Sequence, residues 1–154
     1  MGMLTLTNVT LSGNTAGGAG GGLQNQGPWV ALAGCTVSGN TAVLGGGIGT
    51  MSGLLAAADT TIRDNAAHLG GGLYAAATAT LVGVTVRDNA ATFSGGGICN
   101  LDELVLTGAV LAGNTAPRAG GITPPGGRAC WRTSRSAATP PPKTAAGGST
   151  PGAA

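Results

Sequence analysis

Asp59, Asp64 and Asp88, with Arg63, Arg87 and His68, are the residues of this sequence whose types could act together chemically. Paired carboxylates, or a carboxylate with a metal and a basic residue, are what cleavage of a polysaccharide requires. The spacing argues for something else. Arg63-Asp64 and Arg87-Asp88 are one dipeptide repeated, so they mark equivalent places in a repeat and should form a small surface charge cluster of little energetic weight. Asp59 and Asp64 fall at positions that read as turns, which aspartate favours. His68 has no nucleophile beside it in sequence and reads as a solvated loop residue. No catalytic residue is expected, and therefore no enzyme. Cys35, Cys99 and Cys130 form neither an even disulfide framework nor a metal-ligand spacing. No metal and no cofactor is expected. The glycine runs lack the Lys-Ser or Lys-Thr of a phosphate loop, and no Asp follows them as in calcium-binding glycine repeats.

The strongest pattern is a column of asparagines. Asn14, Asn40, Asn65, Asn89 and Asn114 stand 26, 25, 24 and 25 residues apart. Glycine runs recur with them at 20–22, 45–47, 70–72, 95–97 and 120–121. A fixed period near 25 is the mark of a stacked repeat. The column could be a polar binding row or a structural ladder. The ladder is the better reading, because each buried amide can donate to one neighbouring coil and accept from the other.

The positions before each Asn specify strands. Leu4, Val30, Leu55, Ala79 and Leu104 stand ten residues before it, and Leu6, Leu32, Ala57, Leu81 and Leu106 eight before it. Such period-2 alternation places them on one face of a short strand. Asn8, Gly34, Asp59, Gly83 and Gly108 follow, residue types that tolerate left-handed backbone and so make a corner. A second strand points Val9, Cys35, Thr60, Val84 and Ala109 inward, then Leu11, Val37, Ile62, Val86 and Leu111. Thr10, Thr36, Thr61, Thr85 and Val110 alternate with them and point outward. Regular outward threonines could form an ice-binding face, but Arg63 and Arg87 interrupt the flanking column. The second corner is the residue pair ending in each anchor Asn. A variable loop and the glycine run then lead to a third strand marked by Leu23, Ile48, Leu73, Ile98 and Ile122, with Cys99 facing outward.

Three strands and three bends per coil describe an all-β fold, a parallel β-helix of about five coils over residues 1–123. A sandwich would not repeat its residues at 25. Leu6, Leu11, Val37, Ile62, Val86, Leu106 and Leu111 are expected in the core. Aromatic residues at 3% are too few for an ordinary two-layer core, whereas a solenoid can stack aliphatic columns. Residues 1–116 carry a net charge of −3 and residues 117–154 carry +5, including Arg118. No basic stripe crosses the repeats, so nucleic acid is not an expected partner. No apolar run is long enough for a membrane span. Seven of the eight prolines lie at or after Pro117, and residues 124–154 are expected to form a disordered tail.

The segment Leu-Thr-Leu-Thr-Asn-Val-Thr-Leu-Ser-Gly-Asn-Thr-Ala from Leu4, followed by Gly20-Gly21-Gly22-Leu23, resembles the right-handed parallel β-helix repeats of bacterial secreted and surface proteins. The polymorphic outer-membrane-protein repeats, with Gly-Gly-hydrophobic and Asn motifs, look closest, and pectate-lyase-like folds share the architecture. The resemblance covers about residues 4–122. It implies a non-catalytic structural or adhesive segment of an extracellular or cell-surface parent, with a carbohydrate or cell-surface partner. The alternative it implies is a fragment of a polysaccharide lyase or hydrolase whose site lies outside this chain. The start of the sequence almost inside its first repeat gives the expectation of a piece of a longer protein. Open terminal coils give the expectation of end-to-end self-association.

Overall fold

The computed structural model describes residues 2–123. The expected tail at 124–154 lies outside the described residues. The chain is all-β and winds as a parallel β-solenoid, with no helix among the described residues. The first sheet stacks Met3–Thr7, Trp29–Ala33, Leu54–Ala58, Ala79–Val82 and Leu104–Thr107. The second stacks Thr10–Ser12, Thr36–Ser38, Thr61–Arg63, Thr85–Arg87 and Val110–Ala112. The third stacks Leu23–Asn25, Ile48–Thr50, Leu73–Ala75, Ile98–Asn100 and Ile122–Thr123. Each sheet thus has five rungs. Five rungs enclose four turns from Asn14 to Asn114, so the stack makes about four full turns where the repeats suggested about five.

The register is the one the alternation dictates. Leu4 aligns with Val30, Val30 with Leu55, Leu55 with Ala79 and Ala79 with Leu104. A one-residue slip would turn every inward side chain to solvent, so the apolar columns fix the pairing. The core is a single column of buried aliphatics, including Leu32, Val37, Ile48, Leu55, Ile62, Leu73, Leu81, Val86 and Ile98. One polar residue inside it is satisfied locally. The Thr60 hydroxyl donates to the Ala58 carbonyl at 2.9 Å and accepts from the Cys35 N–H at 3.3 Å.

Four of the expected core residues are corrected. Leu6, Leu11, Leu106 and Leu111 are only partly buried against the core, because they sit in the first and last rungs with a neighbouring coil on one side. A second correction concerns the variable loop. In two coils it forms strands, Ala66–Leu69 and Ala90–Ser94, which pair in parallel as a small fourth sheet. The pairing jumps between Ala91 and Ser94, a β-bulge that leaves Thr92 and Phe93 opposite the single residue His68. A bulge of this kind re-aims the extra side chain.

The corners behave as their residue types require. Asn8, Asp59, Asp64 and Asp88 hold φ between 46° and 56°, alongside glycines at the equivalent positions of other coils. The first glycine of each run, Gly20, Gly45, Gly70 and Gly95, holds φ of 60° to 65°. In the last coil Ala119 takes that place at φ 47°. An L-residue with a Cβ is strained there by about 1 kcal/mol. Ala119→Gly is therefore expected to stabilise the chain by about 0.5–1 kcal/mol. A higher urea midpoint at unchanged m-value would show it, and no gain would mean that the last rung does not contribute to the cooperative unit.

Candidate functional site

The acids are engaged in the corners. Asp64 pairs with Arg63 and Asp88 with Arg87, the latter at 2.6 Å, each through its own sequence neighbour and at the surface. Pairs this exposed contribute little to stability. Asp59 turns its carboxylate toward the Cα of Gly83, where an added Cβ would lie 2.5 Å from Oδ1. The three aspartates are therefore spread over two corners, and none is hydrogen-bonded to His68. Among the described residues no group of three or more His, Cys, Asp or Glu could hold a metal ion.

The anchor asparagines form the ladder. The Asn40 backbone N–H and side-chain Nδ2 both donate to Asn65 Oδ1, at 2.9 and 3.0 Å. Asn65 repeats this on Asn89 at 3.0 and 2.9 Å, and Asn89 on Asn114 at 3.1 and 3.0 Å. Asn14 does the same on Asn40 at 2.9 and 3.1 Å. The second Nδ2 hydrogen turns back to a carbonyl of the preceding coil, from Asn40 to Leu11, from Asn65 to Val37 and from Asn89 to Ile62. Every hydrogen-bonding position of a middle amide is filled, so the column offers nothing to a ligand. A second buried polar column, at Asn25, Thr50 and Asn100, escaped the sequence reading. Asn25 Nδ2 donates to Thr50 Oγ1 at 3.1 Å and to the Ser52 carbonyl at 3.1 Å. Its spacing of 25 was visible, but Ala75 interrupts it.

The exposed cluster lies on the bulged fourth sheet. His68 Nδ1 is 2.9 Å from Thr92 Oγ1. The His68 and Phe93 rings lie 5.3 Å apart, tilted by 32°. The Arg118 guanidinium sits 4.4 Å over the Phe93 ring. Phe93 is 43% exposed. Imidazole, aromatic face, guanidinium and hydroxyl thus form one ridge that follows the solenoid axis. Cation–π and aromatic contacts of this kind contribute about 0.5–1 kcal/mol each at an exposed position. Thr92 and His68 stand at nucleophile–base distance, and among the described residues no carboxylate is hydrogen-bonded to the second ring nitrogen. The ridge can bind by stacking and hydrogen bonding. Sequence reading left His68 in a loop and counted Arg118 with the basic tail. The missed signal is arithmetic, since His68, Phe93 and Arg118 are spaced 25 apart.

Cys99 faces outward from the third sheet, alternating with the core residue Ile98, yet it is 3% exposed. The segment leading into the glycine run covers that face, and a Cβ on Gly49 would come within 3.1 Å of Ala19. Tyr74 pairs with Cys99 across the sheet and is also buried. Burial pushes the Cys99 thiol up, and burial, reinforced by Cys99, raises the Tyr74 hydroxyl. Comparison with family models, with curated proteins and with solved structures yields no match to this chain.

Asn65→Leu strands the Asn40 N–H and one Nδ2 hydrogen, and is expected to cost on the order of 3 kcal/mol in chemical denaturation. Asn14→Leu removes a donor from the end of the ladder and should cost less than about 1 kcal/mol; equal losses would show that the ladder adds nothing beyond side-chain size. In a Cys130→Ser background the native protein should not react with thiol reagents near pH 8, and should do so on unfolding. Because the folded Cys99 value is raised, its stabilising contribution is complete below the ordinary thiol range and is lost as pH rises through the folded value. Denaturation midpoints that rise with pH across that window would contradict the assignment.

Proposed function

We infer that the chain is a non-catalytic β-solenoid segment of an extracellular or cell-surface protein, and that it displays the ridge of His68, Thr92, Phe93 and Arg118 to a carbohydrate or cell-surface partner. The observation that carries this reading is the division of labour among polar side chains. The middle asparagines are saturated by the ladder and Asp59, Asp64 and Asp88 serve corners, while among the described residues the ridge gathers different chemistries at the surface. A stacked aromatic beside a guanidinium suits the apolar face and hydroxyl groups of a sugar ring. The repeat pattern supports placing the chain beside the polymorphic outer-membrane-protein type of β-helix, whose Gly-Gly-hydrophobic and Asn motifs it resembles.

The test has two arms. The intact chain is first incubated with polygalacturonate and related polymers, with and without calcium. No unsaturated or shortened product is expected. Metal-dependent cleavage lost in Asp59→Asn or Asp64→Asn would establish the lyase reading instead. The chain is then applied to immobilised polysaccharides and to whole cells, beside Phe93→Ala and Arg118→Ala. Either change should weaken binding by roughly tenfold, as loss of one stacked or charge-assisted contact does. Binding that ignores both changes would move the contact surface away from the ridge.

A further inference from the structure

The ridge belongs to a longer column. The Val43 N–H donates to the Gly18 carbonyl at 2.9 Å, the His68 N–H to the Val43 carbonyl at 3.0 Å and the Arg118 N–H to the Phe93 carbonyl at 3.1 Å. Gly18, Val43, His68, Phe93 and Arg118 therefore follow one another along the axis, each 25 residues after the last. Val43 is 47% exposed, and His68 and Arg118 are exposed with Phe93. At about 4.8 Å per rung, the four side chains from Val43 to Arg118 cover about 14 Å. The column is graded along that length, from an aliphatic side chain through an imidazole and an aromatic ring to a cation.

That cation is unbalanced. Arg63 and Arg87 each hold the aspartate beside them in sequence. Arg118 has no ion pair among the described residues, and one face of its guanidinium rests on Phe93. The acids of the sequence are Asp59, Asp64, Asp88, Asp102 and Glu103, and none falls in the segments between anchor Asn and glycine run that build the column. A guanidinium stacked on an aromatic face keeps its in-plane N–H groups for a planar, two-point contact with an oxyanion. His68 adds a second polar position. Its Nδ1 is engaged by Thr92 at 2.9 Å, and Nε2 has no hydrogen bond among the described residues.

We propose that the column selects an acidic polysaccharide, a sugar chain bearing carboxylate or sulfate groups. The chain lies along the solenoid axis, with an acidic group on Arg118, a ring face on Phe93 and a hydroxyl at His68 Nε2. This rests on the reading that the ridge binds carbohydrate, and it adds the charge of the ligand and the direction in which it lies. A neutral sugar would offer Arg118 only uncharged acceptors, which bind a cation about half as strongly as an oxyanion does. An acidic polypeptide would supply the charge without the flat C–H face that suits Phe93 and Val43.

Two matched pairs of polymers test it on the full chain. Polygalacturonate and its full methyl ester share a backbone and differ in charge, and dextran sulfate and dextran differ likewise. The acidic member of at least one pair should bind roughly tenfold more tightly than its neutral counterpart, by an amount that shrinks as salt is added. The pair that shows the difference tells carboxylate from sulfate. Arg118→Gln should abolish the difference, and Phe93→Ala should weaken binding of both members. Arg128→Gln removes the same charge outside the column and should leave the difference in place. Equal affinity for both members of each pair, lost in Phe93→Ala, would overturn the acidic preference and leave the carbohydrate reading standing. Binding of none of the four polymers would overturn both. An acidic preference that survives Arg118→Gln, or is lost equally in Arg128→Gln, would overturn the proposal, as would poly-glutamate bound as tightly as polygalacturonate.

Discussion

The amide-to-amide contact along the axis is the constraint around which this solenoid is arranged. A buried asparagine is tolerated only if all its polar positions are matched, and here each match comes from the coil above or below. The geometry of one coil is thereby imposed on the next. The glycine runs belong to the same constraint. The third glycine of a run lies directly under the ladder residue of the following coil, and a Cβ on Gly22 would sit 2.9 Å from Asn40 Nδ2. The same contact pairs Gly47 with Asn65, Gly72 with Asn89 and Gly97 with Asn114. Asparagine and glycine recur together in the sequence because neither position works without the other.

This interlock also explains where the coils are allowed to differ. The interval from the first strand to the anchor is constant at ten residues, while the interval from anchor to glycine run varies. Gly70 follows Asn65 by five residues, and Gly95 follows Asn89 by six. The additional residue is the bulge that lifts Phe93 onto the surface beside His68. The ridge is thus a product of a segment that the ladder does not police, which is where loops ordinarily carry function.

Most of the architecture was legible in the sequence for a physical reason. The alternation of Leu4 and Leu6, the corner at Asn8 and the inward pair Val9 and Leu11 are local properties, and the repeat multiplies each signal five times. Positive φ at Asp59, Asp64 and Asp88 could be anticipated from turn chemistry alone. What escaped was non-local. The burial of Cys99 depends on how the preceding loop crosses the third sheet. The contact of Arg118 with Phe93 depends on a bulge, and the partial exposure of Leu6 and Leu111 depends on position in the stack and not on residue type. The candidate site was the least legible part, because its residues keep the period of 25 but differ in type from coil to coil, so the spacing stands out only once the fold is known.

The placement of the first and last rungs at opposite ends of one axis gives the molecule a mechanical character. Tension applied along the axis loads the coil-to-coil hydrogen bonds one rung at a time, since each coil contacts only its neighbours. A released coil of about 25 residues pays out roughly 80 Å of chain in exchange for a rise of about 5 Å. Under load the solenoid would yield in discrete steps, dissipating work at each rung while the remaining stack stays intact. The folded stack thus stores far more chain than its length along the axis spans.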